Sequence, residues 1–173
     1  MLPFSFSSFL LVDLKKGKNK LFYKQSKRRT VNLKLTMSSL QSVISNGSGN
    51  IYSNADIASD NLDIQLNGSG DVQLNRIHPS TYDIQLTGSG DVVMKADGKS
   101  SKGTIMLTGS GDVLTPNLVS DDVQVNITGS GDALVAAVKT LNVNIDGSGN
   151  LNYKGNPETH ISATGSGEVQ KRE

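Results

Sequence analysis

Four aspartates recur at one position of a repeated motif. Asp71, Asp91, Asp112 and Asp132 each follow a Gly-Ser-Gly tripeptide, and Asn50, Asn150 and Glu168 hold the same place in three further copies. If the copies stack, these side chains stand in file about 4.8 Å apart, the spacing of neighbouring strands. Like charges so placed repel by somewhat under about 1 kcal/mol per pair even in water, so something must offset the repulsion. One reading is a cation row, since carboxylate oxygens suit Ca²⁺. The other is that each Asp accepts hydrogen bonds from the backbone N–H groups of its own turn. Asn at two positions of the row serves this closure equally well, and closure is the preferred reading. The calcium-binding repeat Gly-Gly-x-Gly-x-Asp differs in period and in the offset of its Asp. No metal or cofactor is therefore expected.

A serine ladder, Ser48, Ser69, Ser89, Ser110, Ser130, Ser148 and Ser166, runs through the same tripeptides. A serine nucleophile needs a paired base. The chain has only His78 and His160, both in segments that return from the far side of the repeat. The serines read as turn residues, His78 before Pro79 as a loop residue, and His160 as a residue at a strand edge; no triad is indicated. A polysaccharide lyase would need clustered carboxylates with an Arg or Lys base beside them. The repeat region holds just Arg76 and Arg172, and its lysines are scattered. No catalytic residue is expected, and the chain reads as a non-enzyme. Binding of sugars by polar faces stays open.

Composition narrows the field further. Cysteine is absent, which excludes a disulfide scaffold, cysteine-ligated zinc, an iron–sulfur cluster, a thiol nucleophile and a lipoprotein cysteine. Two histidines disfavour a multi-histidine metal site. Tryptophan is absent and aromatics make up 5%, leaving little material for stacking bases or sugars.

The elements that must position these residues follow from the repeat. Gly-Ser-Gly occurs as Gly47-Ser48-Gly49, Gly68-Ser69-Gly70, Gly88-Ser89-Gly90, Gly109-Ser110-Gly111, Gly129-Ser130-Gly131, Gly147-Ser148-Gly149 and Gly165-Ser166-Gly167, at steps of 21, 20, 21, 20, 18 and 18 residues. Before each tripeptide apolar residues alternate with polar ones, as in Leu62, Ile64, Leu66 and Val123, Val125, Ile127. After it comes a second short alternation: Val72 and Leu74, Val92 and Met94, Val113 and Thr115, Ala133 and Val135, Leu151 and Tyr153. Period-two alternation predicts strands with one buried face. Each repeat thus reads as strand, tight glycine corner, strand and looser return. It is too short to bury its own apolar face, but stacked copies can do so. The prediction is an all-β, single-stranded parallel β-helix of about seven coils. The rival is an antiparallel meander of hairpins, which does not need the same sequence on both sides of every turn. The glycines are expected to supply positive φ at the corner. An apolar residue nine places after the first glycine (Ile77, Leu118, Val138) is expected to plug the wide corner.

These residues resemble a known family. The run Ser38 to Ile44 ending in Asn46-Gly47-Ser48-Gly49-Asn50, the recurrent Gly-Ser-Gly-Asp-Val at Gly68 and Gly88, and the close Tyr153-Lys154-Gly155-Asn156-Pro157 before Gly165 are similar to the head GIN domain of putative autotransporter adhesins. The resemblance covers about residues 31–173. It implies a pectin-lyase-like parallel β-helix, a place at the cell envelope or cell surface, a role in adhesion, and no catalytic residues.

The N-terminal part differs in composition. Residues 1–40 hold nine Lys/Arg and one Asp, whereas residues 41–173 hold eight Lys/Arg and 15 Asp/Glu. Met1 to Val12 is apolar but too short to span a bilayer. It has no basic residue before its apolar core and no clear small-residue cleavage site, so it makes a poor signal peptide. Residues 1–30 read as a basic, poorly ordered leader or a mis-assigned start, ahead of the repeat domain at 31–173. Thr30 to Leu35 alternates and is expected to cap the solenoid. The functional expectation is a ligand-presenting, adhesin-like surface. Its partner would be an unidentified surface ligand, either a polysaccharide or an extracellular protein, with homo-oligomers allowed and nucleic acid not expected. The alternatives are a carbohydrate-active or polysaccharide-binding β-helix and a self-assembling scaffold.

Overall fold

The computed structural model describes residues 10–15, 18–24 and 39–173. Among these, fourteen strands form one sheet that coils on itself: β1 (Leu10–Lys15), β2 (Lys18–Lys24), β3 (Ser42–Gly47), β4 (Ile51–Ser53), β5 (Ile57–Gly68), β6 (Val72–Leu74), β7 (Ile77–Gly88), β8 (Val92–Met94), β9 (Gly98–Gly109), β10 (Val113–Gly129), β11 (Ala133–Gly147), β12 (Leu151–Lys154), β13 (Glu158–Gly165) and β14 (Val169–Lys171). No helix occurs among the described residues. Their one antiparallel pair is β1 with β2; β2 then pairs parallel with β3, and every later pair is parallel. The repeat is therefore a parallel β-solenoid and not a meander of hairpins. It makes about six turns, one fewer than the seven expected, because seven corners bound six repeats.

Two strands, β1 and β2, fall within the stretch assigned from sequence to a leader. The alternating run Thr30 to Leu35 lies outside the described residues.

The core consists of rows of equivalent side chains. Ile64, Ile84, Ile105, Val125 and Val143 stand in register on successive turns, as do Leu66, Leu86, Leu107, Ile127 and Ile145, and all ten are buried. Burying a Val, Leu or Ile side chain contributes about 1.5–3 kcal/mol, so stacking alone supplies each turn with its driving force. One row is irregular. Gly103 stands in register with Tyr82 and Val123, and a Cβ built there would overlap the Tyr82 ring. The glycine makes room for the tyrosine. Tyr82 is 3% exposed and its hydroxyl accepts from Ser120 Oγ at 3.4 Å. Burial pushes the Tyr82 pKa above its ordinary value of 10.0, with hydrogen bonds to Ser120 and Thr115 opposing the shift.

The returns differ from the expectation. They are strand, since Ile57–Ser59 pairs with Ile77–Pro79 and the same register resumes at Asn61 with Thr81. His78 thus lies on β7 and not in a loop. The proline hid this, because Pro within a run argues against a strand. Ile77 and Leu118 are buried as plugs, but Val138 is 50% exposed. A register shift after Leu114 puts Ala136 opposite Val119 and Ala137 opposite Ser120, so Val138 does not fall on the row of Leu118, and Ala136 and Ala137 are the buried residues there.

Candidate functional site

Two requirements, positive φ and close approach of the preceding turn, fall on the corner glycines. The first glycine has positive φ, +139° at Gly68. The second does not, but a Cβ at Gly70 would overlap the Gly49 carbonyl oxygen of the preceding turn, with the carbonyl carbon at 2.8 Å, and Gly68 meets the Gly47 carbonyl oxygen in the same way. The expectation that both supply positive φ holds for the first only. Turns approach this closely because one carbonyl serves two donors: Gly47 O accepts from Ser69 N at 2.9 Å and from Gly70 N at 3.2 Å, and the same pair recurs at each later corner. All seven corner serines point to solvent.

The aspartate row closes between turns, not within them. Asp71 Oδ1 accepts from Asp91 N at 3.1 Å, Asp91 Oδ1 from Asp112 N at 2.9 Å, Asp112 Oδ1 from Asp132 N at 2.9 Å, and Asp132 Oδ1 from Asn150 N at 2.7 Å. Asn50 and Asn150 perform the same task for Asp71 N and Glu168 N. The backbone there points along the stack after the corner, so the N–H that needs an acceptor belongs to the next turn. An amide oxygen does this as well as a carboxylate, which is why Asn and Asp interchange in the row.

A second arrangement lies on the outer face of the long strands. Its first row reads Ser42, Asp63, Asp83, Thr104, Gln124, Asn142 and His160, and its second Ile44, Gln65, Gln85, Met106, Asn126, Asn144 and Ser162. Neighbouring groups brace one another: Gln65 Nε2 donates to Asp63 Oδ2 at 3.1 Å, Gln85 Nε2 to Asp83 Oδ1 at 3.3 Å, and Thr81 Oγ1 to Asn61 Oδ1 at 2.6 Å. Two grooves open here. One, of about 510 Å³, crosses β3, β5, β7 and β9 and is lined by Ser42, Asn61, Asp63, Thr81, Asp83 and Lys102 among others. The other, of about 330 Å³, crosses β10, β11 and β13 between Gln124, Asn126, Asn142, Asn144, His160 and Ser162. The alternation in the sequence puts Asp63, Asp83, Gln124 and Asn142 on a polar face but does not reveal the grooves. Residues such as Thr81 and Lys102 belong to returns whose register only the stack reveals.

The histidines stand apart from the serines. His78 Nδ1 lies 2.9 Å from the Asp97 carbonyl oxygen and Nε2 3.1 Å from Asp56 Oδ1. Asp56 Oδ2 also accepts from Arg76 Nη2 at 2.7 Å. His160 faces Glu158 at 3.5 Å. Among the described residues neither histidine is hydrogen-bonded to a corner serine, and no three His, Cys, Asp or Glu side chains converge as metal ligands.

Residues 12–157 match the family model described as "Putative auto-transporter adhesin, head GIN domain". The match begins ahead of Val31, where the resemblance of the repeat begins. Among solved structures, the chain is similar to a putative lipid binding protein from Parabacteroides distasonis ATCC 8503, at 29% identity and a TM-score of 0.72, over 76% of this chain and 53% of that one. It is similar also to a putative adhesin from Bacteroides fragilis NCTC 9343, at 25% identity and a TM-score of 0.72, over 94% of this chain and 76% of that one. A putative adhesin from Parabacteroides distasonis ATCC 8503 shares the fold at 24% identity and a TM-score of 0.73, over 78% of this chain and 56% of that one. The chain thus spans about half the length of the two Parabacteroides proteins. None of the curated proteins matches it.

Proposed function

The chain belongs to the family of putative auto-transporter adhesins, head GIN domain, and on that premise we propose that it is a non-enzymatic, extracytoplasmic domain that presents a ligand-binding face. The observation that supports this reading best is the outer face of the long strands. It is polar along both rows except at Ile44 and Met106, it is braced by side-chain hydrogen bonds between Gln65 and Asp63 and between Gln85 and Asp83, and it carries two open grooves. A stack of this kind holds its surface groups at a fixed pitch, which suits recognition of an extended partner. The corner serines and the two histidines offer no nucleophile–base pair, and the aspartate row is occupied in holding the turns together.

Protease treatment of intact host cells tests the reading. The domain should be cleaved while a cytoplasmic marker survives; a domain protected until the cells are lysed would overturn it.

A further inference from the structure

The larger groove contains a group that the fold leaves without a role. Ser42 is in register with Asp63 on the outer row, yet it is only 5% exposed. Among the described residues, its Oγ is a buried side-chain atom with no hydrogen-bond partner. Buried hydroxyls are ordinarily paired, and an unpaired one weakens the folded state. Ser42 lines the groove together with Asp63, Asp83 and Thr104, its counterparts on the next three turns.

We propose that this groove binds a neutral glycan segment, whose hydroxyl groups pair with the Asp83 carboxylate, with the Lys102 and Thr104 side chains, and with Ser42 Oγ when rotation about χ1 turns it from its buried position into the groove. The proposal rests on the ligand-presenting reading above and names its ligand class. The volume, about 510 Å³, falls in the range of small-molecule sites, but such sites are mostly apolar with a few polar groups. Here, apart from Leu62 and Tyr82, every lining residue carries a polar group, although the exposed surface is slightly more apolar than polar. The ligand must therefore offer donors and acceptors together with some apolar surface, as a sugar ring does. Carboxylates only accept, an ammonium only donates, and hydroxyls do both; a polyol satisfies that mixture, being donor and acceptor at each carbon. The Asp83 carboxylate in the lining disfavours a phosphate or a polyuronate, whose charges it would repel. A protein partner would want a desolvated pocket for an aromatic or Arg anchor, and this open groove, with a polar group on nearly every lining residue, provides none. Equivalent positions recur at every turn, about 4.8 Å apart, and in this groove each carries a hydrogen-bonding side chain, from Ser42 to Thr104, so a linear chain along the solenoid meets a polar group at each step.

Titration calorimetry of the full chain tests this with linear glucose, galactose and mannose oligosaccharides, and with a polyuronate as the charged counterpart. At least one neutral oligosaccharide should bind saturably, and equally well with EDTA present. Asp83→Ala should weaken binding about tenfold or more. Ser42→Ala should weaken it too while Tm stays the same or rises, because the unliganded protein loses no hydrogen bond; a purely structural serine would give the opposite. Asn144→Ala, in the smaller groove, should bind like the parent. The proposal is overturned if no neutral oligosaccharide binds, if Ser42→Ala and Asp83→Ala bind like the parent, or if binding needs a cation or prefers the polyuronate. Absence of glycan binding by a protease-accessible domain would sink the glycan site alone. Glycan binding by a domain that intact cells protect would sink the extracytoplasmic reading and leave the site standing.

Discussion

Alanine at three corner glycines separates two requirements that the repeat superimposes. Gly47 has φ +123° and nothing within 4 Å of where a Cβ would sit, Gly90 has an ordinary φ but a Cβ there would overlap the Gly70 carbonyl oxygen, and Gly88 (φ +129°) suffers both. Gly47→Ala should therefore cost only the backbone strain, about 1–3 kcal/mol. Gly90→Ala meets backbone on the other side, with Gly70 C at 2.9 Å and N at 3.1 Å, and neither can rotate away. Relief requires the turns to part, which lengthens Ser89 N→Gly68 O and Gly90 N→Gly68 O, now 2.9 and 3.2 Å. Overpacking costs about 1–3 kcal/mol and the weakened bonds about 1 kcal/mol more. At about 2–4 °C per kcal/mol for a chain of this size, Gly90→Ala should lower Tm by about 5–15 °C. Gly88→Ala should lose roughly the sum of the other two effects, as distant or independent terms add. Thermal unfolding followed by circular dichroism measures all three. A Gly90→Ala protein that melts with the parent, or a Gly88→Ala protein no worse than Gly47→Ala, would refute the close-stacking argument.

Three further outcomes follow from the geometry. Asp112→Ala removes the acceptor of Asp132 N and should cost about 1–3 kcal/mol in urea unfolding, whereas Asp112→Asn keeps an acceptor and should cost nothing; a Ca²⁺-dependent rise in Tm that Asp112→Asn abolishes would restore the cation reading of the row. Tyr82 keeps its proton in the folded state beyond the pH at which the unfolded chain releases it near 10.0, so stability should fall as pH rises above that value; Tyr82→Phe should flatten this alkaline loss, and an unchanged profile would contradict it. Gly103→Ala should be strongly destabilising because its Cβ overlaps the Tyr82 ring, and Tyr82→Leu in the same chain should recover part of the loss, with a coupling of about 0.5–3 kcal/mol in a double-mutant cycle.

The parallel solenoid was legible because its two main signals are local. Alternation within Leu62 to Leu66 and recurrence of Gly-Ser-Gly at a near-constant step both survive in a single copy read beside the next. The partners of the aspartates were not legible. Asp91 and Asp112 are 21 residues apart, and only the stacked register puts the N–H of one beside the oxygen of the other. The failure at Val138 has the same origin, since the register shifts on either side of Val119 and Ser120 change which residue faces inward. Ser42 shows the limit on the functional side. Its place in the alternation marks it as an outward polar residue, and nothing in the local sequence indicates that it is buried.

Stacking also decides where a ligand can be read. Inward positions are committed to volume, as the exchange between Tyr82 and Gly103 shows, and the corner positions are committed to close approach. The outer rows are held only by neighbour-to-neighbour hydrogen bonds, so their chemistry can change from turn to turn while the fold stays. Along the first row it does change, from Asp63 and Asp83 to Thr104 and then to Gln124 and Asn142. In the second row Met106, 50% exposed, interrupts a run of amides. The face therefore carries a charged groove toward one end and an amide-lined groove toward the other. The two are built on one rigid pitch and differ in the ligands they can hold. Exchanging Asp83 for asparagine should make the first groove resemble the second in charge, while the stack beneath it, whose contacts lie on the other side of the strand, keeps its stability.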